Sequence, residues 1–317
     1  MPKTMYISAS SLRSFLGCKR RYMFEYVERL RPVTRAAPLT IGSAVHSGMR
    51  HLLSSSSIVT KEGIREAVTE AYAPEEIELA GPEPEIAVEA VCAFDAHVNW
   101  RGWDILETEK RFEIQVGHGR RLIGYMDGVV AQDGILYTLE HKTASGGVSD
   151  AYLHHLLWDI QATAYIMAAR AMGYEVCGVL YNFLPKPTIK RLYATPEECR
   201  KYKRDGSLYA SQRVFDETDA EYVERVRAWY AENGDLFSQH IATRNDNQLK
   251  AMVTSISQIV TDMRRCESTG AYYRNPGACA IMSCPFASIC LEDTPEIREA
   301  NFTVRPPRRE EQDNDTE

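Results

Sequence analysis

The 317-residue sequence contains no run of roughly 18 apolar residues, the length a membrane-spanning helix needs, so no membrane span is expected. Residues Met1–Tyr6 do not resemble the long apolar core of a secretory signal, and a cytoplasmic location is the expectation. There is no excess of positive charge either. The 37 Lys and Arg stand against 44 Asp and Glu for a net −7, which does not announce a nucleic-acid binder. No internal repeat is present, and the Cys-x2-Cys knuckle of many structural zinc sites is missing. Eight cysteines in a cytoplasmic chain are not expected to pair as disulfides.

What is present is unevenly placed. Residues 1–50 hold nine basic side chains and only Glu25 and Glu28 on the acidic side, a net +7, whereas residues 61–109 hold three basic and thirteen acidic ones, a net −10. A basic N-terminal segment of this kind can give phosphates a positive track. Three of the cysteines, Cys279, Cys284 and Cys290, fall within twelve residues.

The most informative stretch runs from Leu122 to Tyr165. Two strand-like runs, Leu122–Ala131 and Ile135–His141, are joined by Gln132-Asp133-Gly134, and Asp-Gly supplies the backbone angles of a tight hairpin. Residues two apart on a strand share a face, so Glu140 and Lys142 point the same way, with Asp127 on the adjacent strand within reach of the same edge. Two hard carboxylates can hold Mg²⁺ or Mn²⁺, and a nearby lysine can orient water and stabilise charge developing on a phosphate. A helix over roughly Leu156–Met172 follows, carrying Gln161 and Tyr165 on one face at i and i+4.

Elsewhere, residues 7–30 read as helical with a break near Gly17-Cys18 and an N-cap at Ser8 or Ser10. Helices are expected over Ser43–Leu53, Lys61–Tyr72, Pro84–Trp103, Pro196–Gln212, Ala220–Asn233 and Asn247–Cys266. Strands are expected over Ile105–Val116, Glu175–Leu184 and Thr188–Ala194, with a short strand or loop over His240–Asn245. Residues 196–265 then form a helical subdomain or flank, and 301–317 form a disordered tail.

Asp127, then Glu140-x-Lys142, then Gln161-x-x-x-Tyr165 resembles the PD-(D/E)XK nuclease superfamily, specifically its RecB-type branch. Three further features are similar to that branch's iron–sulfur members, which include CRISPR adaptation nucleases and many phage exonucleases: Ser8-x-Ser-Ser-Leu12 with Cys18-Lys-Arg-Arg-Tyr after it, Gly42-x-x-x-His46, and the terminal Cys284-Pro-Phe-x-x-x-Cys290. The resemblance implies an α/β, restriction-endonuclease-like core over residues 1–300, with a central mixed sheet flanked by helices, an added helical region and a C-terminal cysteine cluster. It implies metal binding by His46, Asp127 and Glu140, catalysis by Lys142, and organisation of the site or strand by Gln161 and Tyr165. It further implies a 4Fe–4S cluster, favoured over zinc, that ties Cys18 to Cys279, Cys284 and Cys290; Cys266 is the rival for the fourth position.

The function so implied is a Mg²⁺- or Mn²⁺-dependent DNA exonuclease working on DNA ends or single strands in recombination or repair. A single-strand annealing or binding protein is the expected partner, and the host cytoplasm is the location if a phage encodes the chain. Two other classes compete: a non-catalytic DNA-binding or scaffolding module of the same fold, and a zinc-stapled protein whose carboxylates are merely solvated.

Overall fold

The computed structural model describes residues 4–33, 37–55, 58–145, 147–281 and 284–306. In chain order the first elements are β1 (Met5–Ile7), α1 (Ala9–Gly17), α2 (Lys19–Tyr22), a π-helical turn over Met23–Val27, β2 (Leu30–Pro32) and α3 (Ala37–Ser54). Then come α4 (Lys61–Thr69), α5 (Pro74–Leu79), α6 (Glu83–His97), β3 (Asp104–Gln115), β4 (Arg120–Gln132) and β5 (Ile135–Ser145). The chain continues through α7 (Asp150–Leu156), α8 (Ile160–Ala171), β6 (Gly178–Lys186), α9 (Asp219–Glu232), β7 (Ser238–Thr243) and α10 (Asp246–Thr269). It closes with α11 (Pro276–Ile281), α12 (Ala287–Leu291), α13 (Pro295–Asn301) and β8 (Phe302–Val304).

The architecture is the expected α/β one, a six-stranded mixed sheet flanked by helices. β4 is its pivot. β3 runs antiparallel along nearly the whole of one edge of β4. Since a strand has only two edges, β1 and β5 share the other: β1 lies parallel beside Arg120–Leu122, and β5 lies antiparallel beside Gly128–Gln132. Residues 123–127 of β4 lie between these two ladders. β6 then pairs parallel with β5, and β7 antiparallel with β6.

Period-two alternation sends the apolar side chains to two separate cores. Met126, Tyr181 and Phe183 face α1, α8 and α10, where they meet Leu12, Phe15, Ile166 and Val260. Val130, Leu139, Leu180 and Leu184 face the other helical layer, with Val45, Met49, Val91, Phe94 and Val226. A third, smaller cluster joins the two ends of the described chain, setting Phe24 and Leu30 against Phe286, Ile289 and Phe302.

The local signals that hold are those with a stated chemistry. Asp133 (φ 52°) and Gly134 (φ 76°) take the left-handed turn positions of the β4–β5 hairpin. Ser8 caps α1 in a reciprocal box with Ser11, and the helix stops at Gly17 because Cys18 is extended. Gly128, beside Asp127, is a close-approach position: a Cβ there would lie 2.7 Å from the Glu107 carbonyl oxygen.

Several expectations need correction. The helix expected over Leu156–Met172 is α8, which starts only at Ile160 behind its cap Asp159; Leu156 ends a separate helix, α7. Thr188–Ala194 is not a strand, because its N–H groups bond to side chains instead: Leu192 donates to Glu217 Oε2 (2.8 Å) and Ala194 to Asp216 Oδ1 (2.7 Å). Pro196–Gln212 is not a helix; it holds only the 3₁₀ turn Glu197–Cys199 and an isolated bridge between Tyr202 and Leu208. Of the subdomain or flank expected over residues 196–265, α10 packs on the core of the sheet and β7 enters the sheet itself. In the tail, Phe302–Val304 pair with Leu30–Pro32 and Phe302 is buried, because this one aromatic finds an apolar partner surface; residues 307–317 lie outside the described residues. Among the described residues no helix is long and apolar enough to cross a membrane.

Candidate active site

The β4–β5 ladder ends at the Gly128–Leu139 pair. Just past it, the N–H of His141, two residues beyond Leu139, donates to the carboxylate of Asp127, next to Gly128 (Oδ2, 2.7 Å). A side chain has replaced a main-chain acceptor, which lets the two strands separate without leaving a buried donor unpaired. Asp127 therefore sits at the lip of the opening between β1 and β5. From α3, His46 reaches the same carboxylate, its Nδ1 3.2 Å from Oδ1.

Glu140 lies on the adjoining strand at only 2 % exposure. Its Oε1 accepts from the Lys142 ammonium and from Gln161 Nε2 (2.9 Å). Gln161, on α8, uses its whole hydrogen-bonding capacity here. Its Nε2 also donates to the Tyr165 hydroxyl (2.8 Å), and its Oε1 accepts from Lys142 Nζ (3.0 Å) and from Arg13 on α1 (3.0 Å). That full set fixes which way the amide points. The other oxygen of Glu140, Oε2, is buried and accepts no hydrogen bond among the described residues.

The electrostatics follow from burial around opposed charges. Burial works against a charged His46, but Asp127 and then Glu140 outweigh it and push the ring up to about 9. Burial would raise Asp127 too, yet His46 and the His141 main-chain N–H hold it well below the usual carboxylate range. Glu140 goes the other way, raised first by burial and then by the charge on Asp127. Lys142 is disfavoured by burial but raised by its pairing with Glu140. His141, wedged against the rings of His46 and Phe94, is pushed down to about 4 chiefly by burial.

All six residues singled out from sequence thus come together at the break in the sheet, His46 with Asp127 in one pair and Glu140, Lys142, Gln161 and Tyr165 in a second hydrogen-bonded set, with Glu140 and Tyr165 buried and the other four partly exposed. Four others were not foreseen. Arg13 and His141 are described above. Asp159 caps α8, accepting from the Gln161 N–H (Oδ1, 2.9 Å) and from the Tyr181 hydroxyl (Oδ2, 3.1 Å). Arg244, 5 % exposed, ties the α7–α8 turn to the end of β7: it donates to the carbonyls of Leu156 (2.7 Å), Asp159 (3.2 Å) and Thr243 (2.7 Å) and to Thr163 Oγ1 (3.0 Å). Asp159 carried a readable signal, a capping residue two positions before Gln161. Arg244 carried none, since most of its acceptors are backbone groups that any sequence supplies.

Donor chemistry and burial are those of a hard-cation site: two carboxylates at the break in the sheet, one presenting an unpartnered buried oxygen. Among the described residues no three His, Cys, Asp or Glu side chains form a ready-made metal cage, so water and substrate oxygens would have to complete the coordination. At the far end of α1, Cys18, Cys279 and Cys284 line one cavity with Arg13, Arg21 and His155. Cys284 and Cys290 both pack on the Phe24–Phe286 cluster. Cys266 is elsewhere, on the buried face of α10 and 3 % exposed in the main core.

A profile for the PD-(D/E)XK nuclease superfamily matches residues 6–291, a span that takes in these site residues and Cys18, Cys279, Cys284 and Cys290. Among solved structures, one protein from Eubacterium rectale, named as a candidate exonuclease, is similar over 96 % of this chain and 90 % of its own at 13 % identity and a TM-score of 0.50, which speaks for the fold alone. SSO0001 is similar over 81 % of this chain and 86 % of its own at 16 % identity, with a TM-score of 0.26 that carries no argument. No curated protein matches the chain in sequence.

Replacing Arg244 by Met keeps the volume but strands buried acceptors at the α7–α8 turn. Urea unfolding should show a loss of about 2–3 kcal/mol; an unchanged midpoint would remove Arg244 from the account of how Gln161 is positioned.

Proposed function

From its membership of the PD-(D/E)XK nuclease superfamily, to which this chain belongs, we propose that it is a Mg²⁺- or Mn²⁺-dependent exonuclease that hydrolyses phosphodiester bonds at DNA ends in recombination or repair. The observation that carries this reading is the buried, unpartnered Oε2 of Glu140 beside Asp127, with the Lys142 ammonium on the same carboxylate. The exonuclease name of the Eubacterium rectale protein agrees with it.

Asp127 and Glu140 would hold the cation, with His46 adding to or orienting that pair. When bound, the cation supplies Lewis acidity at the phosphate and lowers the pKa of water. The chain's own groups do the rest. Lys142 holds its proton firmly because Glu140 is against it, so it serves as a fixed positive charge for the negative charge that grows on the phosphate oxygens. Gln161 keeps Lys142 and Glu140 in register, and Tyr165 holds Gln161 through a hydroxyl that burial and the two carboxylates keep protonated. Arg13 brings a second cation to the same amide from the basic N-terminal segment, where it can meet the strand's phosphates.

A 4Fe–4S group held by Cys18, Cys279, Cys284 and Cys290 is supported by their neighbourhood: the first three line one cavity, and Cys290 packs with Cys284 on the adjoining apolar cluster, whereas Cys266 belongs to the main core. Among the described residues these thiols do not stand as a ready-made cage, so a bound cluster would have to draw them together. Such a cluster would brace the two ends of the chain, which already meet through Phe24, Phe286 and Phe302. The partner such a reaction calls for is a single-strand annealing or binding protein that captures the strand left behind.

On end-labelled linear DNA, Lys142→Ala should cut Mg²⁺-dependent cleavage by about 100-fold or more while leaving the melting temperature near wild type; undiminished cleavage would sink the assignment. For the cysteines, iron and sulfide analysis after anaerobic purification gives the check. Cys18→Ser should lose the cluster and Cys266→Ser should keep it, whereas zinc in the wild type would overturn the iron–sulfur reading.

A further inference from the structure

One segment is not used by the site. Between β6 and α9 the chain runs for some thirty residues with almost no regular structure, far longer than an ordinary connection in a compact fold. It is nevertheless tied down. Buried Glu217 accepts from the Leu192 N–H (2.8 Å) and from Arg225 (2.8 Å), while its carbonyl accepts from Arg191 (2.8 Å). Higher up, Lys201 N–H donates to Gln212 Oε1 (2.7 Å), and Thr195 N–H donates to the Arg213 carbonyl (2.9 Å).

This anchored loop displays large rings to solvent. Tyr193 is 68 % exposed, Tyr202 57 %, Tyr209 51 % and Phe215 78 %. Four exposed aromatics within 23 residues, on a scaffold that could have turned them inward, form a surface waiting for a partner. The same segment is basic in an acidic chain. Residues 187–218 hold seven Lys and Arg against five acids, a net +2, where the whole chain carries −7. Among the described residues, Lys190, Lys201, Lys203 and Arg204 are exposed and pair with no carboxylate.

We propose that the 187–218 loop is a single-stranded DNA platform, on which unpaired bases stack against Tyr193, Tyr202, Tyr209 and Phe215 while the four exposed cations track the phosphates. Rings and charges interleaved along one loop suit a single strand, whose bases expose their flat faces; a duplex offers only base edges and backbone. Topology gives the loop a reason to be where it is. It leaves the sheet at the C-terminal end of β6, and Lys142 and Ser145 of the parallel strand β5 pair with Phe183 and Lys186 of that strand. The loop therefore starts from the same sheet end at which the site opens. The proposal rests on the nuclease reading for its substrate but uses none of the site residues.

The test is fluorescence anisotropy with a labelled oligo-dT in EDTA, where no cleavage occurs. Two variants are compared with wild type: one carrying Tyr193→Ser, Tyr202→Ser, Tyr209→Ser and Phe215→Ser, the other carrying Lys190→Gln, Lys201→Gln, Lys203→Gln and Arg204→Gln. Because all eight side chains are exposed, thermal melts should be unchanged and will show that both variants fold. The aromatic variant should bind about tenfold or more weakly with the salt dependence preserved. The charge variant should lower the salt slope by about 0.7 for each phosphate that is no longer neutralised. Wild-type affinity in both variants would overturn the proposal and leave the loop as a surface for a protein partner. Cleavage of a separate labelled DNA by wild type in Mg²⁺ reads the nuclease assignment by itself, so either can fail without the other.

Discussion

One hydrogen bond sets the geometry of this molecule: the His141 N–H to the carboxylate of Asp127. An antiparallel ladder normally continues until a turn or an edge ends it. Here a side chain takes over just past the last pair, and β5 departs from β4 while its backbone donor stays satisfied. The edge of β4 is then divided between β5 and β1. Into that opening fall Asp127, Glu140 and, from the opposite helical layer, His46. Gly128 is the steric counterpart: its missing side chain lets β3 close against β4 beside the break.

The charges inside the opening constrain one another. His46 and the His141 N–H hold Asp127 ionised, while burial first, and then the charge on Asp127, pushes Glu140 up. A single amide, Gln161, then connects Glu140, Lys142, Arg13 and Tyr165 and has no capacity to spare. Its helix is positioned in turn by Asp159, and Asp159 by Tyr181 and Arg244. Support of this kind, passed from the Glu140 carboxylate to a helix cap to a buried guanidinium, holds these groups in place although they sit where the sheet comes apart.

What the sequence disclosed and what it hid divide along physical lines. Asp127, Glu140 and Lys142 were legible because a hairpin turn with its own chemistry, Asp133-Gly134, fixed the strands, and strand period then fixed the faces. Gln161 and Tyr165 were legible from helix spacing, although the start of their helix was misplaced until Asp159 could be seen to cap it. The segment 188–212 was misread as strand and helix because local propensity was all there was to go on; the N–H groups of Leu192, Ala194 and Lys201 go to the side chains of Glu217, Asp216 and Gln212, partners that propensity does not encode. Phe302 was lost in a polar tail because its burial depends on Phe286 and Phe24, the latter at the far end of the chain.

The central question is whether the unpartnered oxygen of Glu140 is there for a cation. Calorimetric titration of Mn²⁺ into the wild type and into Glu140→Gln decides it most directly, since glutamine keeps the shape and removes the charge. The wild type should bind Mn²⁺ and the variant should lose that binding. Equal binding by both would show that the break in the sheet is not the metal site, and would take the proposed chemistry with it.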